Sequence, residues 1–282
     1  MTTVLLLSVA GSPGVTTTGL GLTLCWPRDV VLVDADPCPS RSVEAGHLRG
    51  QCETGRGLVG LAGALRRGDD PSTSLWHHLV ELPLPAPLDP TSSAQGKAPQ
   101  RWFLPGFSHR GQAVTLAPLW TAVADGLAGL AEAGVDTVVD LGRLDAAGPP
   151  GALVARADVI ALVTRCTLRG LAAVSLAEED LERVRSQATG AFGLILVGAG
   201  HPYSAREVSR QFGQPVLGEV TADPTAAAVL GEGSPAGRRW ARGRYLASLR
   251  RTASQVRAAG QGRAGLVDAT PAPTDDAAEV GS

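Results

Sequence analysis

A glycine-rich stretch near the amino terminus has the layout of a phosphate-binding loop. Residues 8–18 read SVAGSPGVTTT and directly follow the apolar run Val4–Leu7. Gly11 and Gly14 permit a tight turn and a close approach of the backbone, so that the N–H groups of the loop could surround an anion. Thr16 opens the expected helix, where its hydroxyl could bind Mg²⁺. The order of strand, turn and helix predicts a phosphate site, although many α/β proteins have such a turn without this function.

The same stretch lacks the lysine with which phosphate-binding loops hold the terminal phosphates of a nucleotide. The chain has 25 basic residues, and Lys97 is the only lysine among them. This lysine lies far along the chain in the segment PTSSAQGKAPQ, whose composition is typical of a surface loop. The sequence therefore leaves open whether this is a working nucleotide site or only its frame.

Three aspartates follow apolar runs that are typical of buried strands. The segment VLVDADP contains Asp34 and Asp36, and the segment VDTVVDLGR contains Asp140. Because α/β sheets bind ligands at the carboxyl ends of their strands, we expect the three carboxylates to lie together beside the loop. Such groups suit the shell of a Mg²⁺ ion. Each one taken alone could equally be a helix cap or a turn residue.

Apolar runs alternate with helical patterns along most of the chain. Short runs rich in β-branched residues predict strands at Val4–Val9, Val30–Val33, Trp102–Leu104, Thr137–Val139, Val159–Val163, Leu194–Val197 and Val216–Val220. Helical patterns cover Thr16–Cys25, Leu116–Ala133, Gly170–Ala188, Ala205–Gln211 and Arg239–Ala259. This alternation predicts an α/β fold with three layers, in which helices cover both faces of a twisted, mainly parallel sheet.

The pattern predicts one domain over residues 1–260. Residues 84–112 are rich in Pro, Ser and Gly, so most of this segment is expected to form a long surface loop. Residues 261–282 have little to bury and are predicted to form a disordered tail.

Composition favours a folded cytoplasmic protein. The chain of 282 residues is 44% hydrophobic, and its net charge of −2 gives no general attraction to nucleic acid or anionic lipid. Four cysteines without a CxxC spacing, and no signal peptide pattern, predict reduced thiols. The pair His77-His78 has no third ligand nearby in sequence and is typical of a solvated helix face. No apolar run approaches the roughly 20 residues of a membrane span.

Taken together, these segments resemble the MinD/ParA family, P-loop ATPases with a deviant Walker A loop. The family loop reads K-G-G-V-G-K-T-T and is followed by D-x-D-P and an apolar run ending in Asp. The segments FLPG, GVDTVVDLG, ADVIALVT and GQPVLGEVTADPTAAAVLGEG also resemble family segments, so the resemblance covers about residues 3–255. It implies a nucleotide-binding loop made of Ala10, Gly11, Ser12, Pro13, Gly14, Val15, Thr16 and Thr17.

The resemblance also implies roles for the polar residues. Thr16, Asp34 and Asp140 match the positions at the magnesium ion, and Asp36 matches the residue that positions the attacking water. Ala10 and Val15, however, stand where the family has its two lysines.

Other departures also fall on the nucleotide. Pro13 removes one backbone donor from the loop, and Val197-Gly198 stands where the family has an asparagine for adenine. Losing one buried charge partner typically costs about 2–5 kcal/mol. We therefore expect no cofactor or only weak binding of ATP and Mg²⁺, with Asp36 a remnant and negligible hydrolysis of ATP.

Within this family, the pilus-localisation branch of the CpaE/TadZ type also often lacks the signature lysine and has a small residue in its place. The segment GVTTTGLGL most resembles that branch. This resemblance implies a protein that binds partners in the positioning or assembly of a secretion or pilus-like apparatus. A homodimer through the loop face is a further expectation, with the apolar residues Ala10, Pro13 and Val15 at its rim.

Two other functions remain open. The first is a working ATPase in partitioning or in septum or pole positioning, with its cation supplied by Arg28, Arg41 or a partner. The second is a DNA or membrane adaptor at the inner face of the membrane, acting through the seven arginines of Arg238–Arg257. Those arginines are equally typical of the solvated face of a helix that packs on the sheet.

Overall fold

One sheet of eight strands forms the centre of the computed structural model, which describes residues 1–10, 14–85, 98–200 and 202–267, with side chains up to 262. The strands are β1 (Thr3–Ser8), β2 (Val30–Asp34), β3 (Val80–Glu81), β4 (Arg101–Leu104), β5 (Asp136–Arg143), β6 (Val159–Arg165), β7 (Ala191–Val197) and β8 (Val216–Val220). Their order is β3-β4-β2-β5-β1-β6-β7-β8. All neighbouring pairs are parallel except β3 and β4.

Helices connect most of the strands. They are α1 (Val15–Leu24), α2 (Gly57–Arg66), α3 (Pro71–His78), α4 (Arg110–Leu116), α5 (Trp120–Glu132), α6 (Gly151–Val154), α7 (Leu168–Leu176), α8 (Glu178–Gln187), α9 (Ala205–Phe212), α10 (Pro224–Gly231) and α11 (Arg244–Val267). Short helical turns of other types lie at Val43–His47, Ala117–Leu119 and Trp240–Arg242.

Side chains of the central strand β1 alternate between two hydrophobic cores. Leu5 and Leu7 pack into the core that α2 to α9 cover, and Val4 and Leu6 pack into the core that α1, α10 and α11 cover. Because both faces of the sheet are covered, the side chains of its central strands are mostly apolar, as those of parallel strands usually are. The prediction of three layers around a mainly parallel sheet is confirmed.

The predicted strands are all present, with ends shifted by a few residues, whereas β3 and five helices (α2, α3, α4, α6 and α10) were not predicted from the sequence. Two of these helices, α3 and α10, begin with an Asp-Pro pair that could have indicated them. Asp70 accepts a hydrogen bond from the Thr73 N–H (2.8 Å), and Asp223 accepts one from the Ala226 N–H (2.9 Å). The strand β3 has only two residues, too few for a periodic signal.

The predicted helix over Gly170–Ala188 is two helices. The first helix ends at Ala177, whose N–H donates to the carbonyls of both Ala173 and Val174, each at 3.2 Å. Acidic residues then open α8, where negative charge favours the amino end of a helix.

Two predicted boundaries differ from the structure. The helix α11 continues to Val267, beyond the expected domain end at residue 260, because adding residues to an existing helix costs little. Residues 268–282 of the expected tail lie outside the described part of the chain. Of the expected loop over residues 84–112, residues 86–97 also lie outside it, and α4 begins within the loop at Arg110.

One helical run, Arg110–Glu132, has the length and apolar composition of a membrane span, although no such run was expected from the sequence. Its second part, α5, packs on the sheet through Val123, Leu127 and Leu130, which are buried in a core. Helices of this kind also occur in the cores of water-soluble proteins, so composition alone does not indicate a membrane here.

A buried ion pair ties the last helix to the amino end of the sheet. Asp136, the first residue of β5, is fully buried and accepts hydrogen bonds from the Thr2 N–H (2.8 Å) and the Trp26 Nε1–H (2.9 Å). The Nε of Arg257 on α11 donates to the same carboxylate at 2.8 Å. This contact neutralises a charge that would otherwise be buried without a cation.

Replacing Arg257 should therefore destabilise the fold. We expect Arg257→Ala to lower the free energy of unfolding by about 2–4 kcal/mol, because the carboxylate of Asp136 loses its only cationic partner in the described structure. Arg250→Ala, at an exposed position of the same helix, is the control and should change stability by less than about 0.5 kcal/mol. Urea denaturation measures both. Equal effects of the two substitutions would contradict the role of the ion pair.

Candidate functional site

The glycine-rich loop leaves β1 near the middle of the sheet. The backbone of Gly14 has φ 91°, a left-handed conformation that residues with a side chain rarely adopt. From there the carbonyl of Gly14 accepts the Thr18 N–H at 2.8 Å, which starts α1. Gly11, Ser12 and Pro13 lie outside the described residues. The start of α1 is thus held at the carboxyl end of a central strand, where α/β sheets bind ligands.

Val15, the first residue of α1, points into the core. Its side chain is only 6% exposed and packs in the cluster that also contains Leu20 and Val229. It therefore cannot form the apolar rim that was expected for a dimer through the loop face, because a buried side chain offers no surface to a second subunit. Of the other two expected rim residues, Ala10 is half-buried and Pro13 is not described.

Two buried carboxylates lie side by side at the carboxyl ends of β2 and β5. Asp34 and Asp140 are partners in the strand register, and Asp140 is only 1% exposed. Burial and the neighbouring Asp140 hold the pKa of Asp34 well above its usual range. Burial also raises the pKa of Asp140 to about 6, although the Thr16 hydroxyl and the Gly142 N–H partly oppose this shift.

Asp36 completes the acidic group. Its Oδ1 accepts the Cys38 N–H at 2.7 Å, and its carboxylate lies against Gly142, where a Cβ would clash with the Asp36 carboxylate. Burial raises the pKa of Asp36, while the charges of Arg110 and Arg143 partly lower it. The structure thus brings together the three aspartates that the sequence singled out, with two arginines beside the outermost one.

One oxygen of Asp140 is suited to a cation. Oδ1 accepts the Gly142 N–H at 2.8 Å, whereas Oδ2 is buried without a hydrogen-bond partner. The Thr16 hydroxyl lies close enough to affect the pKa of Asp140 but completes no hydrogen bond to Oδ2. A hard cation would use such an oxygen and the hydroxyl beside it. Within the described residues no cluster of three or more acidic, His or Cys side chains could hold a metal, so water or a bound ligand would have to complete its shell.

A cavity of about 770 Å³ adjoins the loop on the side of β6 to β8. It is lined by Gly14 and Thr17 from the loop and α1, by Arg251, one of the seven arginines of Arg238–Arg257, and by Arg165, which the sequence analysis had not singled out. Arg165 is a charged residue at the end of an apolar strand, and this position is the only sequence signal that could have pointed to Arg165 as a site residue. The lining residue Gly198, where an adenine-binding amide was expected from the family, has no side chain to offer.

In the described part of the chain, no contact places the two arginines named from the sequence as substitutes for lysine at the loop. Arg28 precedes β2 and therefore lies at the amino end of that strand, away from the site. Arg41 approaches Glu44 at 3.4 Å. Neither side chain is among the groups that shift the pKa of Asp140.

Comparison with solved structures identifies the architecture as the P-loop NTPase fold in its ParA/MinD form. A ParA family ATPase from Chlorobium tepidum superposes with a TM-score of 0.60 at 16% identity, over 93% of this chain and 98% of the other. The MinC:MinD complex of Aquifex aeolicus gives a TM-score of 0.63 at 13% identity, over 97% and 98%. MinD of Pyrococcus horikoshii, complexed with Mg-ADP, gives 0.60 at 17% identity, over 90% and 95%.

Neither a family model nor a curated protein matches the chain at the level of sequence. The fold is thus that of MinD/ParA-like proteins, and the function has to be argued from the site.

The pKa of Asp140 predicts how stability depends on pH. Because the pKa is raised in the folded state, protonation favours folding below about pH 6, and this contribution is lost as the pH rises through that value. Asp140→Asn, which stays neutral, should therefore exceed the wild type in stability by about 1–3 kcal/mol near pH 8 and by much less near pH 4. Urea denaturation across this range tests it, with the exposed Asp69→Asn as control. A difference that does not vary with pH would contradict the assignment.

Proposed function

We propose that this chain is a MinD/ParA-like protein whose nucleotide site is degenerate and which acts by binding other proteins. The observation that carries the proposal is the burial of Val15 in the core, at the place where the family resemblance puts a phosphate-binding lysine. Ala10 stands in place of the family's first lysine, and Lys97 is the only lysine in the chain.

Electrostatics of the acidic group support the same conclusion. The groups that raise the pKa values of Asp34 and Asp140 include other carboxylates, and none of those that lower them is a basic side chain. A triphosphate would bring further negative charge to this place. With about 2–5 kcal/mol lost for each missing charge partner, affinity for ATP would fall by orders of magnitude.

A working ATPase is the rival function, and one observation favours it. Arg165 and Arg251 line the cavity beside Gly14 and Thr17, so a guanidinium could reach a phosphate there in place of a lysine. In that case Asp36 would position the attacking water, and Thr16 with Asp140 would hold Mg²⁺.

The role in the cell follows from the family branch that the loop resembles. We propose a cytoplasmic protein that helps to position or assemble a secretion or pilus-like apparatus, with a protein component of that apparatus as partner. A DNA or membrane adaptor acting through Arg238–Arg257 is less favoured. Tyr245, Leu249 and Val256 of α11 are buried against the sheet, which gives this helix a structural role.

Titration with ATP and Mg²⁺ tests the degenerate site. We expect calorimetry to give a Kd weaker than about 1 mM and negligible turnover, because two cationic contacts are missing. Val15→Lys should strengthen binding if the loop keeps a shape that surrounds phosphate, whereas the control Val15→Leu should not. Micromolar affinity in the wild type, with turnover abolished by Asp36→Ala, would contradict the proposal. Loss of that affinity in Arg165→Ala would then support the ATPase with an arginine substitute.

Magnesium alone tests the acidic group without any nucleotide. A cation between Thr16, Asp34 and Asp140 would relieve the repulsion of the buried carboxylates, so Mg²⁺ should raise the Tm near pH 8 by about 2–4 °C. Asp140→Asn should remove this response, and the exposed Asp69→Asn should retain it. Differential scanning calorimetry with and without the ion gives the answer. An equal response in all three proteins would mean that Mg²⁺ acts elsewhere.

A further inference from the structure

Two of the most exposed large apolar side chains lie on one helix. Leu176 is 89% exposed and Leu168 is 69% exposed, and both belong to α7. Ala172, midway between them, is exposed as well. A spacing of four residues places these side chains along one stripe of the helix surface. The packed face of α7 is the opposite one, since Gly170 and Val174 are buried.

Among the residues that the structure describes, the contacts that hold α7 in place do not involve this stripe. The Thr167 hydroxyl accepts the Gly170 N–H at 3.2 Å and caps α7, and Val174 anchors the helix to the core. Neither contact needs Leu168 or Leu176. A single exposed leucine is ordinary, but a row of apolar side chains that faces away from the core is typical of a contact surface.

Charges at the two ends of the stripe are opposite in sign. Arg169 lies exposed in the first turn of α7, and Glu178 and Glu179 lie exposed directly after its last residue. When two such helices pair in antiparallel fashion, the basic end of each lies beside the acidic end of the other. In that arrangement Leu168 faces Leu176 of the second copy, and the small Ala172 allows the helices to approach closely at the centre.

We propose that this chain forms a homodimer through α7, as an antiparallel helix pair around a twofold axis near Ala172. A second copy is the favoured occupant because, in the antiparallel arrangement, the opposite charges at the two ends of the stripe are complementary to each other. Nine residues of helix bury less area than the roughly 1,200–2,000 Å² of a stable interface, so the dimer should be weak and form at micromolar concentrations or above. The surface uses no residue of the glycine-rich loop, and the proposal therefore stands or falls independently of nucleotide binding.

Sedimentation velocity from about 1 to about 200 µM tests the dimer. We expect the wild type to shift from monomer to dimer over this range without any nucleotide. Leu168→Glu and Leu176→Glu should remain monomeric, because each would bury a carboxylate against apolar surface. Val114→Glu is the matched control, since Val114 is 76% exposed on α4 and should be dispensable for the dimer. Because all three side chains are exposed, each variant should keep the Tm of the wild type.

Charge reversal tests the antiparallel arrangement. Arg169→Glu and Glu179→Arg should each weaken the dimer several-fold, and the double variant should regain most of the affinity because the opposite charges are restored. Ala172→Cys should form a disulfide-linked dimer on oxidation that the wild type does not form. A wild type that stays monomeric, or a dimer that survives Leu176→Glu, would overturn the proposal. A double variant weaker than both single ones would overturn the antiparallel arrangement.

Discussion

Asp34 and Asp140 stand side by side at the carboxyl ends of neighbouring strands, buried and without a basic side chain among the groups that shift their pKa values. This placement follows from the parallel sheet, which brings the ends of β2, β5 and β1 to one edge. Around it the chain supplies a capping glycine, the Thr16 hydroxyl and the close contact of Asp36 with Gly142. The geometry suits a cation, while the charges are unfavourable for an anion.

Position 15 connects this edge to the core. A long cationic side chain there would have to turn out of the fold towards a phosphate, whereas Val15 packs inward beside Leu20. At position 15, a side chain that packs into the core stabilises the start of α1, whereas a side chain that binds phosphate would have to leave the core. One residue cannot do both.

The amino end of the sheet is stabilised by a buried ion pair, whereas the carboxyl end carries the candidate site. At the amino end, Asp136 and Arg257 form a buried pair that fastens α11 and completes one covering layer. At the carboxyl end, β6 leads directly into α7, whose cap Thr167 also lines the cavity next to the loop. A dimer through Leu168 and Leu176 would therefore form close to the candidate site. Among the described residues, the buried pair of Asp136 and Arg257 lies at the opposite end of the sheet.

Local sequence by itself determined seven of the eight strands, the glycine turn and the strand-end positions of the aspartates, because these depend on runs of apolar residues and on chain order. It also indicated the missing lysines. Only the tertiary structure decided that Val15 is buried, that Arg165 rather than Arg28 or Arg41 lies near the loop, and that α7 exposes its leucines. The physical reason is that burial, and contacts between side chains distant in sequence, depend on which elements pack together. The periodicity of one segment does not show which other segments pack against it.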